Sequence, residues 1–352
     1  GIIEFLLFYL RYFYYTYPNS KLQLSYPLHP LHIVRKGGAF LKEKIKTFLA
    51  ICILILTVPY VVTLLFQGNK TSVGNQAMKS MLDQGYSSSG QTGEDGLDME
   101  EYLTGVLAKE IPLDYQMEAI KAQAVIGRTS LAAALETGEK NLPESMSREE
   151  MLKLWGQDGF EDNYRILEEA VSATKGEVLY YGGGLIQAEF HAVSAGRTRS
   201  AKESFQREGE PYLDCTESGM DIPSPDFLKV VFMEKEEFCK KLEGLCPGFH
   251  ADAANVLESV TVEERDSSGY VVRMKAGEEE LPGETFRAGF GLNSSCFYLK
   301  DVENQVRIVT KGLGHGLGLS QYGANELAKE GKNYQEILQY YYKDCSVQKI
   351  YE

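Results

Sequence analysis

Of the 352 residues only six are cysteine, and no two stand as a CxxC pair. Neither a zinc ribbon nor a thioredoxin-like site is therefore signalled. Basic charge is also short, with 36 Lys and Arg against 50 Asp and Glu for a formal net charge of −14, which argues against nucleic acid as a partner. No HExxH helix and no GxSxG elbow occurs. Histidine is scarce, and in the part expected to lie outside the membrane only His191, His250 and His315 remain. A serine or cysteine triad would have to use one of these without support from a motif. The glycine run Gly312, Gly314, Gly316 and Gly318 lacks the Gly-Lys-Ser/Thr ending of a phosphate loop, and its spacing is not that of a dinucleotide fingerprint. Taken alone it reads as a tight turn into a helix capped near Ser320. Outside the apolar run that holds Cys52, the residues Cys215, Cys239, Cys246, Cys296 and Cys345 are odd in number, so the sequence sets no disulfide pattern. No internal repeat is visible.

What is present divides the chain into four stretches. Residues 1–35 open on Gly1, are apolar but broken by Arg11, and make a poor span. The expectation is that they lie upstream of a true start near Val34 and carry no function. Residues 36–66 combine a basic flank (Lys36, Lys42, Lys44, Lys46) with the apolar run 48–66. About twenty apolar residues cross the roughly 30 Å hydrocarbon core, and Pro59 is tolerable there. The basic flank places the N-terminus in the cytoplasm and the rest outside. The run is too long for a signal peptide, so a single-pass anchor in the cell membrane is expected. Residues 67–96 are rich in Ser, Gly, Gln, Asn and Thr and read as a flexible linker, with a reach on the order of 30 Å.

Residues 97–352 are globular. Helical periodicity is expected over 161–175 and 334–342. Hairpins are expected around Gly182 to Gly184, with LIQAEFHAV as one arm, and around Ser267 to Gly269. A strand is expected over 306–310. Helices and strands alternate without a βαβ rhythm, so the fold class is α+β, one mixed helix and strand domain behind one N-terminal transmembrane helix.

The stretch 98–138 is the most informative. Asp98 is a plausible N-cap, and Tyr102, Leu103, Val106 and Leu107 recur at helical spacing before Ile111 and Pro112 stop the run. A second helix, with Asp114 as its expected cap, Glu118 in its first turn and Gly138 at its end, is apolar nearly all round. Yet it contains Lys121, Gln123 and Arg128, and buried charge is costly unless paired. Lys121 and Arg128 lie two turns apart on one face, with Glu110 the nearest obvious carboxylate. The residue pattern leaves two readings open: a core helix pair with internal ion pairs, or a site.

The segments Tyr102-Leu103, Gly105-Val106, Glu110-Ile111-Pro112 and Glu118 to Thr129 resemble the signature of the stage II sporulation protein D and amidase-enhancer family. There YL-GV-x-x-E-[MI]-P precedes EA-[LI]-KAQAV-x-x-RT. GHGLGLSQYGANELAKEGK is similar to that family's GHG-x-GMSQ-[WY]-GA close. HAVSAGRTRSAKESF is similar to its HS-x-SGG-x-T segment, where some members add cysteines that hold zinc with the histidine. Here that loop offers Arg197, Arg199 and Lys202, with Cys215 the nearby thiol. Cations do not ligate zinc, so no cofactor is expected, with His191 and Cys215 as the disfavoured zinc pair.

The resemblance implies a membrane-anchored lytic transglycosylase acting on peptidoglycan glycan strands already stripped of stem peptides, used in engulfment during endospore formation. It implies Glu110 as the catalytic acid, with His315, Ser320 and Gln321 lining a cleft that faces it. The loop glycines would let a sugar approach the backbone. Lys121 or Arg128 is expected to meet the free lactyl carboxylate of each muramic acid, and His191 to contact substrate or serve the structure. Expected partners are an amidase/endopeptidase similar to stage II sporulation protein P and a membrane protein similar to stage II sporulation protein M, in the space between mother cell and forespore. The rival expectations are a non-enzymatic glycan-binding amidase enhancer and a wall-bound scaffold.

Overall fold

The computed structural model describes residues 98–138 and 142–351. The expectations for residues 1–35, for the anchor 36–66 and for the linker 67–96 fall outside the described residues. Among the described residues no helix is long and apolar enough to cross a membrane.

Helix α1 (Met99–Glu110) starts where expected, with the Asp98 carboxylate accepting from the Glu100 and Glu101 backbone N–H groups. It stops at Ile111, whose extended conformation (φ −126°, ψ 138°) is the one favoured before a proline. Helix α2 (Met117–Thr137) ends on Gly138 at φ 68°, the left-handed conformation that glycine adopts without strain. Asp114 is not its cap. The N-cap is Gln116, which makes no side-chain cap. The start of α2 is tied instead by distant residues: Gln116 N–H donates to Asn325 Oδ1 (2.8 Å), and the Glu118 carboxylate accepts from Tyr334 N–H (2.9 Å).

Burial all round α2 has a simple cause, because the helix is wedged between two cores. Ile120 and Ala124 pack with Leu103, Leu107, Leu167 and Ala170 on one side. Ala122, Val125 and Ile126 pack with Leu319, Ala324, Ile337 and Tyr341 on the other. Helix α3 (Arg148–Ala173) begins well before the expected 161–175. Ser147 and Glu150 form a capping box, and Gly156 at φ 71° breaks the helical path early on.

Strand β1 (Glu177–Tyr181) lies between the short β2 (Gly184–Leu185) and the C-terminal β11 (Ser346–Lys349). The expected long second arm of this hairpin is not formed. Strand β3 (Phe190–His191) pairs in parallel with β10 (Leu319–Ser320), with Phe190 opposite Leu319 and His191 opposite Ser320. That exchange brings the two glycine-flanked motifs together. Helices α4 (Gln321–Lys329) and α5 (Tyr334–Tyr341) follow β10 and close on α2.

Between β3 and β10 a second body of structure is inserted. Strands β4 (Leu228–Glu234), β8 (Phe297–Val302) and β9 (Gln305–Lys311) form an antiparallel sheet ordered β4-β9-β8. Strands β5 (Val260–Arg265), β6 (Val271–Ala276) and β7 (Glu279–Pro282) form another, including the expected second hairpin. Their core is aromatic: Phe286 stacks on Phe290 (4.1 Å between ring centroids) and on Phe297 (4.6 Å), with Phe238 against them. Helices and mainly antiparallel strands mix throughout, an α+β architecture.

Candidate active site

Glu110 is the last residue of α1, placed at the helix end by the turn that Pro112 enforces. Its side chain leans over Gly127 of α2, where an added Cβ would stand 3.9 Å from Glu110 Oε2. Gln123 Nε2 donates to Oε2 at 3.0 Å. The buried Gln123 is fixed in turn, since its Oε1 accepts from Gln321 Nε2 (3.3 Å), which also donates to the Glu110 carbonyl oxygen at 2.7 Å. Among the described residues no cation pairs with Glu110. Burial pushes its carboxyl up to about 7, against the lowering effect of the Gln123 hydrogen bond. A carboxyl held there is present in both protonation states near neutral pH, and can give and retrieve a proton.

Lys121 and Arg128 each have a carboxylate partner other than Glu110. Lys121 Nζ pairs with Glu118 Oε1 at 2.7 Å, one turn back on its own helix. Arg128 is wholly buried; it donates to both Glu100 carboxylate oxygens, to Thr174 Oγ1 and to the carbonyls of Val171 and Glu177. No part of its guanidinium faces solvent, so the expected contact with a substrate carboxylate gives way to a structural role. Its partner is Glu100, at the opposite end of α1 from Glu110.

Of the closing motif, Gln321 reaches Glu110 as described, but Ser320 does not line an open cleft. Its buried hydroxyl donates to Asp221 Oδ1 (2.9 Å) and accepts from Gly323 N–H, capping α4. The loop glycines serve packing rather than ligand approach. All have positive φ, and a Cβ on Gly314 would lie 2.6 Å from His191 Cβ, while one on Gly318 would overlap the Glu189 carbonyl oxygen.

His191 and His315 face one another with ring centroids 5.9 Å apart. Nδ1 of buried His191 donates to Leu317 O (2.9 Å), and its Nε2 has no hydrogen-bond partner among the described residues. Burial, with His315 adding to it, pulls His191 down to about 3, so the ring is neutral. His315 Nδ1 accepts from Leu317 N–H, and its Nε2 lies 3.7 Å from Glu189 Oε2. Burial lowers His315 and Glu189 opposes that. No hydrogen bond or ion pair joins either ring to Glu110 among the described residues.

Zinc fits poorly. Among the described residues no three His, Cys, Asp or Glu side chains cluster to hold a metal ion. Cys215 Sγ lies 3.1 Å from Ser268 Oγ, and Arg199 of the same loop is a buried hub bonded to Asp266 and Glu284 (2.6 Å each). One free imidazole nitrogen is not a tetrahedral donor set. Sequence reasoning missed Gln123 as a site residue and Asp221 as the acid that holds Ser320. For Gln123 a signal existed: a carboxamide in a helix buried all round needs a partner.

These elements define an α+β domain in which the partly buried Glu110 carboxyl, pushed up by burial, is held in a carboxamide network. A family profile described as SpoIID, Stage II sporulation protein, matches residues 88–181. The chain is 31% identical over 340 residues to Stage II sporulation protein D of Bacillus subtilis (strain 168), covering 87% of this chain and 96% of that protein. It is 29% identical over 330 residues to Stage II sporulation protein D of Bacillus amyloliquefaciens, covering 84% and 93%. Similarity to the Amidase enhancer of Bacillus subtilis (strain 168) is 26% over 290 residues, or 68% of this chain and 39% of that protein. The chain belongs to the stage II sporulation protein D family.

Proposed function

We propose that this protein is a lytic transglycosylase cleaving stem-peptide-free glycan strands of peptidoglycan during endospore engulfment. The observation that carries the reading is Glu110, a carboxyl raised to about 7 by burial, without a cation partner among the described residues and oriented by Gln123. In its protonated form Glu110 donates to the oxygen between N-acetylmuramic acid and N-acetylglucosamine, and the C1–O bond breaks. The resulting carboxylate takes the proton of the same muramic acid's 6-hydroxyl, whose oxygen closes on C1 to give the 1,6-anhydro ring. Glu110 ends protonated, and no water enters the product. One carboxyl suffices, unlike the two-acid arrangement of most glycosidases.

In this reading residues 48–66 anchor the protein in the cell membrane with the domain outside, in the space between mother cell and forespore. An amidase/endopeptidase similar to stage II sporulation protein P supplies the stripped strands, and a membrane protein similar to stage II sporulation protein M retains the complex. The reaction needs no metal. His191, His315, Gln321 and Lys121 are proposed as glycan contacts, Gln321 through its place beside Glu110.

Similarity to an amidase enhancer favours a second reading, a non-enzymatic glycan-binding protein that stimulates a partner hydrolase. Mass spectrometry of stem-free strands incubated with the protein separates the two. Transglycosylation leaves 1,6-anhydro-muramic ends, and an enhancer leaves the strands intact with or without its amidase, which removes stem peptides and cuts no glycosidic bond.

A further inference from the structure

The outer face of the β4-β9-β8 sheet takes no part in the site above, and it combines exposed apolar side chains with unpaired cations. Strand register sets Val230, Val309 and Tyr298 side by side in one row, and Phe232, Arg307 and Lys300 in the next. Alternate residues Val231, Met233, Val306 and Ile308 turn the other way, and Met233, Val306 and Ile308 join the aromatic core. Leu228, Val230, Phe232 and Tyr298 are therefore left 54, 47, 53 and 44% exposed. Scattered apolar residues need no explanation, but a contiguous set does.

The charge of this face is opposite to that of the chain. Arg307, Lys300 and Lys311 form no ion pair among the described residues, whereas Arg128, Arg199, Arg207 and Arg273 all do. Arg307 Nε is buried with no hydrogen-bond partner among the described residues. The Arg265 guanidinium lies 4.5 Å and Lys311 Nζ 5.6 Å from the centre of the Tyr298 ring. The one carboxylate that shares the face by register, Glu234, sits at its end and is held by Asn304 and Gln305.

We propose that this face contacts the membrane, its apolar row entering the headgroup boundary and its cations meeting anionic phospholipid headgroups. Protein interfaces are depleted in lysine, and glycan stacks on flat aromatic rings rather than on leucine and valine. Aliphatic and aromatic side chains rimmed by Lys and Arg are what interfacial binding to anionic lipid uses. The inference deepens the anchored reading, in which a linker on the order of 30 Å in reach keeps the domain close to a bilayer.

Among the described residues three cores and four sheets are built within 98–351, inside one compact unit, so the piece 97–352 carries its own fold. Its co-sedimentation with vesicles of phosphatidylglycerol and phosphatidylcholine, against phosphatidylcholine alone, tests the face without the anchor. The expected result is binding to the anionic vesicles only, weakened by salt. Lys300→Glu with Arg307→Glu is expected to lower partition tenfold or more, by about fivefold per lost cation. Phe232→Ser is expected to lower it with the salt dependence unchanged, and it keeps the test open should the double variant misfold. Release of anhydro ends from soluble strands stays at the parent rate in both. Absence of binding to anionic vesicles, or equal binding by folded variants, overturns the proposal. So does loss of stem-free glycan binding in the variants with no vesicle binding by the parent, which makes the face a glycan site. Whether residues 48–66 anchor the chain is judged separately, by membrane fractionation of the full protein.

Discussion

Glu110 is held in a state that the fold tolerates rather than one that stabilises it. Its carboxyl sits at about 7 when folded, against an ordinary value of 4.5. The folded state binds this proton more tightly than the unfolded chain, so stability is lost as pH rises from about 4.5 through about 7. Glu110→Gln is thus expected to raise the melting temperature at pH 8 and to leave it nearly unchanged at pH 4, which differential scanning fluorimetry across pH reads directly. Gln123→Met, which removes the hydrogen bond that favours the charged form, is expected to move the pH-rate profile upward. Arg128 is the opposite case. Breaking a buried pair costs about 3–5 kcal/mol, so Arg128→Gln is expected to lower the urea midpoint sharply while glycan affinity per folded molecule is kept. The sequence displayed Glu110 through its motif, and it displayed two cations on one helix face. It did not display which carboxylate each would take. Arg128 lies seven residues beyond Lys121, about 10 Å along α2. Because the two helices form a hairpin, that distance carries it from the Glu110 end of α1 to Glu100.

At the scale of elements, the two-residue pairing of β3 with β10 joins segments far apart in the chain. It sets His191 beside Ser320 and thereby directs Gln321 toward Glu110. Gly318 makes it possible, since any Cβ there meets the Glu189 carbonyl. Gly318→Ala is expected to cost at least about 1–2 kcal/mol for the positive φ alone, and to lower kcat together with stability. An unchanged urea midpoint would remove this loop from the account of how the site is built. Periodicity exposed α1, α2, β9 and the β5–β6 hairpin, because each has a regular pattern bounded by clear stops. It overextended the β1–β2 hairpin, because LIQAEFHAV has the look of one strand while its real partner lies more than a hundred residues away. It also shortened α3, whose first half is polar and passes through Gly156.

At the scale of the molecule, two cores among the described residues flank α2 and a third fills the inserted sheet body, and ion pairs hold Arg197, Arg199 and Lys202 of the connecting loop. Arg199 alone joins Asp266, Glu284 and the carbonyl of His315, tying the inserted body to the glycine loop. Extended dialysis against EDTA is therefore expected to leave both the melting temperature and glycan cleavage unchanged. Stoichiometric zinc in the purified protein, or loss of cleavage on chelation, would reverse that expectation. The claim on which the functional reading stands is that Glu110 is the single proton-transferring group. It is tested most directly by counting 1,6-anhydro-muramic ends released from stem-free strands by the parent protein and by Glu110→Gln, with strand binding measured on the same samples. A carboxamide keeps the shape but can neither donate nor retrieve a proton, so release is expected to fall by at least ~10²-fold while binding persists. Release by Glu110→Gln at the parent rate, or no anhydro ends from either protein, would contradict it.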